Sequence, residues 1–292
     1  MMARKRRPLP DFLAYLPVAC LARVAGWLPY RSRLALGAAV GRGAVRLPRY
    51  RRRIAANLAH VFPEMPEAER SAVARQTGEN FGRTFIETLR NADFHRHAAL
   101  RGPVGPGAAA LASVLERRGG AVLVTGHFGQ WEAVRAIFTA QGIACAGIYR
   151  PIDNPRIDAL YVAGLEAGGP VYPKGRTGLR GLVSHLSRGG VAGILVDQYD
   201  NRGATLDFLG QPAPTMLTAA ELALKYRLPL IPTYGVRQPD GEGVEIFADL
   251  PVPVGTAREM MQAVNDSLAA MVRRYPGQYY WLHRRWEKTL AP

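Results

Sequence analysis

The stretch that decides the fold is "VLVTGHFGQWEAV", residues 122–134. It begins as a continuous apolar run, turns through Gly126, and meets His127 before a helical pattern starts. An uninterrupted apolar run that passes into a helix is the mark of a strand buried on both faces of a parallel sheet. Four more runs of this kind follow: "IACAGIY" (143–149), "VAGILVD" (191–197), "LIPTYGV" (230–236) and "VEIFADL" (244–250). Amphipathic stretches at 130–140, 155–167, 177–188 and 214–227 separate most of them. The alternation predicts an α/β fold: a central, mainly parallel sheet flanked by helices. The turn-rich link "RQPDGEG" joins the last two runs and predicts an antiparallel hairpin, with a helix at 256–274 to follow.

Upstream, residues 50–97 read as helices. Ile54, Leu58 and Val61 recur at spacings of 4 and 3, and Pro63 ends the first helix. Glu64, Glu67 and Glu69 then enrich the start of a second, where negative charge complements the helix dipole.

Of the 292 residues, the first 53 carry thirteen Lys/Arg and one acid, so +12 of the formal +15 sits there and the rest is only +3. The protein is therefore a near-neutral domain with a basic arm. The arm is also greasy: "DFLAYLPVACLARVAGWLP" (11–29) and "RLALGAAVGRGAVRLP" (33–48) place aromatic and aliphatic residues between arginines. That mixture suits an anionic membrane surface and not nucleic acid. The uncharged run from Phe12 to Ala22 is short for a span, so an interfacial or re-entrant helix is the first reading. A single span through Arg23 and a cleaved signal peptide are the alternatives. Arg4, Lys5, Arg6 and Arg7 keep the N-terminus cytoplasmic under the positive-inside rule. These observations divide the chain into a membrane-associated helical segment, 1–48, and a domain, 49–292. Cys20 and Cys145 lie in apolar runs without metal-ligand spacing and read as buried free thiols.

Of the six histidines, only His127 has an acid five residues on, Glu132. On one continuous helix the two side chains would diverge by about 500° of rotation. The turn "TGHFGQ" lets them converge at the carboxyl end of a strand, the usual site of chemistry in α/β sheets. A carboxylate on one imidazole nitrogen would fix the tautomer and leave the other to take a proton from a hydroxyl. A structural histidine is the alternative. Arg150 follows the 143–149 strand and suits an anion or developing negative charge. "YPKGRTGLRG" (172–181) offers Lys174 and Arg176 as an anion cradle without the P-loop pattern. Asp197 stands at a strand end, as an arginine partner or an N-cap, and "QYYWLHRRW" (278–286) reads as a sheet-edge strand with solvated arginines.

In this order, "RRRIAANLAHVFPE" (51–64), "GHFGQWE" (126–132), "YRPIDNP" (149–155), "DQ" (197–198) and "YYWLHRRW" (279–286) resemble the bacterial lipid A biosynthesis acyltransferases, within the lysophospholipid acyltransferase-like superfamily. Gln130 replaces that family's asparagine and Trp286 its terminal phenylalanine. The resemblance implies acyl transfer at the cytoplasmic face of the inner membrane. The donor would be an acyl thioester, foremost on acyl carrier protein, and the acceptor a hydroxyl of a lipid A precursor. His127 would be the general base and Glu132 its partner, with Arg150 on acceptor phosphate or the tetrahedral intermediate and Asp197 a secondary site residue. No metal or other cofactor is implied. Another glycolipid or phospholipid acceptor, a hydrolase, and a non-catalytic membrane-binding protein are the competing readings.

Overall fold

The structure, a computed structural model, describes residues 8–286; the cluster Arg4–Arg7 lies outside them. Five helices come first: α1 (Pro8–Trp27), α2 (Tyr30–Ala44), α3 (Pro48–Val61), α4 (Glu67–Leu89) and α5 (Asn91–His97). Strands and helices then alternate: β1 (Leu100–Val104), α6 (Ala108–Arg117), β2 (Ala121–Thr125), α7 (Ala133–Thr139), β3 (Cys145–Tyr149), α8 (Pro155–Glu166), β4 (Val171–Pro173), α9 (Arg176–Ser187) and β5 (Val191–Leu195). A hairpin of β6 (Ala204–Phe208) and β7 (Gln211–Thr215) intervenes before α10 (Thr218–Tyr226), β8 (Leu230–Arg237), β9 (Val244–Ala248) and α11 (Ala257–Arg274).

The main sheet has seven strands in the order β1-β9-β8-β2-β5-β3-β4. Every neighbouring pair is parallel except β8 and β9, the hairpin expected from the turn-rich link. The strand of the opening stretch, β2, lies between β5 and β8, and all its residues are buried. Its side chains alternate between two cores. Val122 and Val124 pack with Leu182, Ala219 and Met261 of α9, α10 and α11, while Ala121 and Leu123 pack with Leu111 and Phe138 of α6 and α7. Burial on both faces is why the run is apolar throughout.

Local signals set the helix ends. Pro48 begins α3, whose apolar stripe Ile54, Leu58 and Val61 is buried, and Glu67 and Glu69 occupy the first turn of α4. The Asn154 side chain caps α8, and Thr256 and Glu259 form a reciprocal capping box on α11.

Within residues 1–48, α2 is joined tightly to the body. A Cβ on Gly41 would strike the Gly78 carbonyl oxygen, and one on Gly82 the Gly37 carbonyl oxygen, so α2 and α4 meet backbone to backbone. The outer element is α1. Leu9–Trp27 is long and apolar enough to cross a membrane by length and composition. The helix exceeds the uncharged run read from the sequence because it continues through Arg23 with Pro17 inside it. Leu13, Leu16 and Trp27 are exposed, Trp27 by 75%. The other side of α1 is tied to α8, where the Asn154 amide donates to the Asp11 carbonyl at 2.7 Å and Arg156 stacks on Phe12. Both cysteines are free, but Cys20 is exposed and only Cys145 is buried.

The C-terminal "QYYWLHRRW" departs from expectation. It forms no sheet-edge strand beyond an isolated bridge between Tyr279 and Phe128. Trp281, Arg285 and Trp286 are buried, and Arg285 donates to the Pro214 carbonyl and the Thr215 hydroxyl. The aromatic residues are core because the β6–β7 hairpin and α3 close over them.

Candidate active site

His127 and Asp197 each stand two residues beyond a strand end, β2 and β5. These strands pair in parallel with Thr125 opposite Leu195, so the two residues emerge side by side. The Asp197 carboxylate accepts twice from His127: from its backbone N–H at 2.9 Å through Oδ2, and from ring Nδ1 at 2.7 Å through Oδ1. Asp197 is buried, which alone would raise its pKa. The neighbouring imidazole charge and hydrogen bonds outweigh that and hold the carboxyl well below the usual carboxylate range. An ionised carboxylate on Nδ1 selects the tautomer whose Nε2 carries no proton and can accept one.

This corrects one expectation: the carboxylate on the His127 ring is Asp197 and not Glu132, and each Asp197 oxygen accepts from His127. Glu132 is at the start of α7, buried, with Oε2 accepting from Arg135 at 2.9 Å and from the Asn91 amide at 3.2 Å. Arg135 spends its remaining donors on the Cys145, Leu165 and Gly169 carbonyls, tying β3 to the segment that follows α8. Glu132 thus anchors the wall behind the histidine. Gln130 is buried too. Its carbonyl accepts the Glu132 N–H at 2.9 Å and its amide donates to Glu87 at 2.7 Å. The amide at this position serves as a two-way bridge.

The turn carrying His127 is held from two sides. Gly129 adopts φ +56°, a left-handed conformation suited to glycine, and its carbonyl accepts from Asn80 and Thr84 of α4, each at 3.0 Å. From the C-terminal segment, Tyr280 N–H donates to the His127 carbonyl and the Gly129 N–H donates to Gln278. The imidazole is framed by Trp131 at 5.2 Å, Tyr280 at 6.1 Å and His283 at 4.2 Å between ring centres. Burial, with the positive neighbours His127 and Arg285, pushes the His283 pKa down to about 3, so that ring is neutral at physiological pH.

His127, Asp197 and His283 offer ligand atoms within 4.8 Å of one another, close enough for a divalent ion. Asp197 already has both oxygens committed to His127, so the trio is built first as a hydrogen-bonded pair with a neutral aromatic neighbour.

His127 opens on a cavity of about 750 Å³. Leu165, Leu179, Leu182, Ile194, Met216 and Ala219 line it together with the buried Glu132–Arg135 pair, and Gln198 borders it with its amide 3.4 Å from His127 Nε2. Arg150, Lys174 and Arg176 line the cavity together with Asp153 and with Arg202, which sequence reasoning did not single out. Lys174 and Arg202 share Asp200, whose carboxyl they hold below its ordinary range against the opposing effect of burial. Arg150 and Arg176 are exposed. The arrangement is a largely apolar cavity with an imidazole at one wall and exposed cations among its lining residues.

Comparison with known proteins gives consistent relatives. Residues 2–288 match the family described as bacterial lipid A biosynthesis acyltransferase. A lipid A biosynthesis lauroyltransferase of Escherichia coli strain K12 is 30% identical over 270 residues, covering 89% of this chain and 87% of that protein. A lipid A biosynthesis acyltransferase of Haemophilus influenzae is 28% identical, covering 79% of this chain and 75% of its own. A phosphatidylinositol mannoside acyltransferase of Mycobacterium tuberculosis is 26% identical over 92% of this chain and 89% of its own.

Proposed function

The chain belongs to the bacterial lipid A biosynthesis acyltransferase family, and from that premise we propose that it moves a fatty acyl chain from an acyl carrier protein thioester to a hydroxyl of a lipid A precursor at the cytoplasmic face of the inner membrane. The observation that carries this reading is the His127–Asp197 pair opening on a largely apolar cavity of about 750 Å³ bordered by cations.

In the proposed reaction the acyl chain lies in the cavity, where each buried methylene contributes about 0.8 kcal/mol. The acceptor hydroxyl approaches His127 Nε2. As its oxygen bonds to the thioester carbonyl carbon, its proton passes to Nε2, and Asp197 stabilises the resulting imidazolium through Nδ1. The tetrahedral oxyanion is met by nearby donors, the Gln198 amide or the Arg150 guanidinium. Collapse breaks the carbon–sulfur bond, and the departing thiolate recovers the proton from His127. Ester and free thiol leave, and the histidine is neutral again. Glu132 supports the wall through Arg135 and takes no proton in this scheme. The exposed apolar face of α1 supports placement at the bilayer, and the cations bordering the cavity suit an acidic carrier and a phosphorylated lipid.

The relatives that act on phosphatidylinositol mannoside support a second reading, with another glycolipid as acceptor. Mass spectrometry of lipid A from cells lacking the protein separates the two: loss of one secondary acyl chain is expected, and unchanged lipid A refutes the lipid A acceptor. In purified protein, His127→Ala should abolish transfer with the fold intact, and retained turnover would remove His127 as the base.

A further inference from the structure

A second cavity, of about 450 Å³, lies between the first turns of α3 and the C-terminal segment. Arg49, Arg52 and Arg53 line it from α3 with Ala56 and Asn57, His283 and Arg284 line it from the C-terminal segment, and no carboxylate is among the described lining residues. The spacing i, i+3, i+4 puts the three α3 guanidinia on one helix face. They sit at the amino end of α3, whose first turn contains no acid, so the helix dipole adds to their positive charge. Three like charges on one helix face repel one another, and an anion relieves that repulsion. Guanidinium groups match the oxygens of a phosphate in pairs.

This cavity adjoins the reaction centre. His283 belongs to its wall, and the same ring packs 4.2 Å from the His127 ring on the other side. Asn57 fixes that wall by donating to the Trp281 and His283 carbonyls at 2.7 and 3.0 Å. Leu47 and Tyr50 are exposed beside the arginines, an apolar fringe suited to lipid. A concave pocket fits a tetrahedral headgroup better than the broad surface of a carrier protein.

We propose that the arginine pocket of α3 binds a phosphate of the acceptor lipid's headgroup and thereby sets which acceptor hydroxyl reaches His127. The proposal rests on the reading above that the acceptor is a phosphorylated lipid. The acyl chain and the headgroup then occupy separate cavities on opposite sides of the His127–His283 contact.

The test uses the full chain in mixed micelles, with the double variant Arg52→Ala/Arg53→Ala and, as control, Arg51→Ala, which lies on the same helix outside the pocket. Acceptors are the phosphorylated lipid A precursor and its dephosphorylated counterpart. The double variant should raise KM for the phosphorylated acceptor about 10- to 100-fold, the effect of losing one or two charge-assisted contacts, with kcat within about threefold. With the dephosphorylated acceptor, wild type and double variant should behave alike. An unchanged KM, an equal rise for both acceptors, or a rise confined to the acyl carrier protein donor would overturn the proposal, the last by assigning the pocket to the carrier. Binding of inorganic pyrophosphate, followed by calorimetry, tests the pocket without any turnover. It should be lost in the double variant and kept in Arg51→Ala. If wild type acylates no phosphorylated precursor, the acceptor reading falls by itself; the pocket falls only if pyrophosphate binds wild type and double variant equally.

Discussion

Replacing Asp197 by asparagine should leave the protein folded and nearly inactive, for a reason that can be worked atom by atom. Asp197 accepts the His127 backbone N–H at 2.9 Å and its Nδ1 at 2.7 Å. Asparagine has one acceptor and one donor to place at these two positions. If its oxygen keeps the backbone N–H, its NH2 faces Nδ1 and forces the ring proton onto Nε2, where the lone pair is needed. If it flips, a buried donor faces a buried donor, at about 1–3 kcal/mol. The wrong tautomer in a Ser-His-Asp triad costs about 10⁴ in kcat, so a loss of about 10³- to 10⁴-fold is expected, or about 4–5.5 kcal/mol of barrier. Glu132→Gln should behave differently. It leaves Arg135 buried without its carboxylate, at about 3 kcal/mol of stability, while the His127 tautomer is untouched. The assay is single-turnover transfer of a labelled acyl chain, with melting temperatures measured in parallel. Asp197→Asn within tenfold of wild type, alongside a folded Glu132→Gln variant down a thousandfold, would refute this assignment of the two carboxylates.

Two further outcomes concern stability. The folded-state pKa of His283 is pushed down to about 3 by burial and by its cationic neighbours, against about 6.5 in an unfolded chain. Between these values the unfolded state binds the extra proton, so stability is fully present above about pH 6.5 and falls as pH drops toward 3. His95, lowered to about 4 by burial and then by Arg135, acts in the same sense. Melting curves from pH 7 to 4.5 should show this slope, and His283→Asn should flatten it; an unchanged slope would count against the buried neutral ring. Gly41→Ala should separate α2 from α4 and cost about 1–3 kcal/mol, whereas Gly43→Ala, where a Cβ meets nothing within 4 Å, should gain up to about 1 kcal/mol of helix propensity. Equal melting temperatures for the two variants would rule out the close helix contact.

The frame of the fold was legible in the residue pattern alone. Strands β2, β5 and β8 are apolar runs because neighbours cover both faces, and in β9 buried residues alternate with half-buried ones; both requirements are written residue by residue. The elements it left unread lack such a signature. β1 is "LRGPV", a half-exposed strand with Gly and Pro, β4 has three residues, and the β6–β7 hairpin carries Pro212 and Pro214. The buried "YYWLHRRW" has no periodicity, because its burial comes from α3 and a hairpin far away in the chain. The site divides in the same way. His127 was legible, since a strand, a glycine turn and a helix start are local features. Its carboxylate was not. Glu132 is near in sequence, but the start of α7 commits it to Arg135, whereas Asp197, seventy residues away, is adjacent because β2 pairs with β5 in register. Strand pairing is a lateral decision made by packing, and no spacing along one chain encodes it.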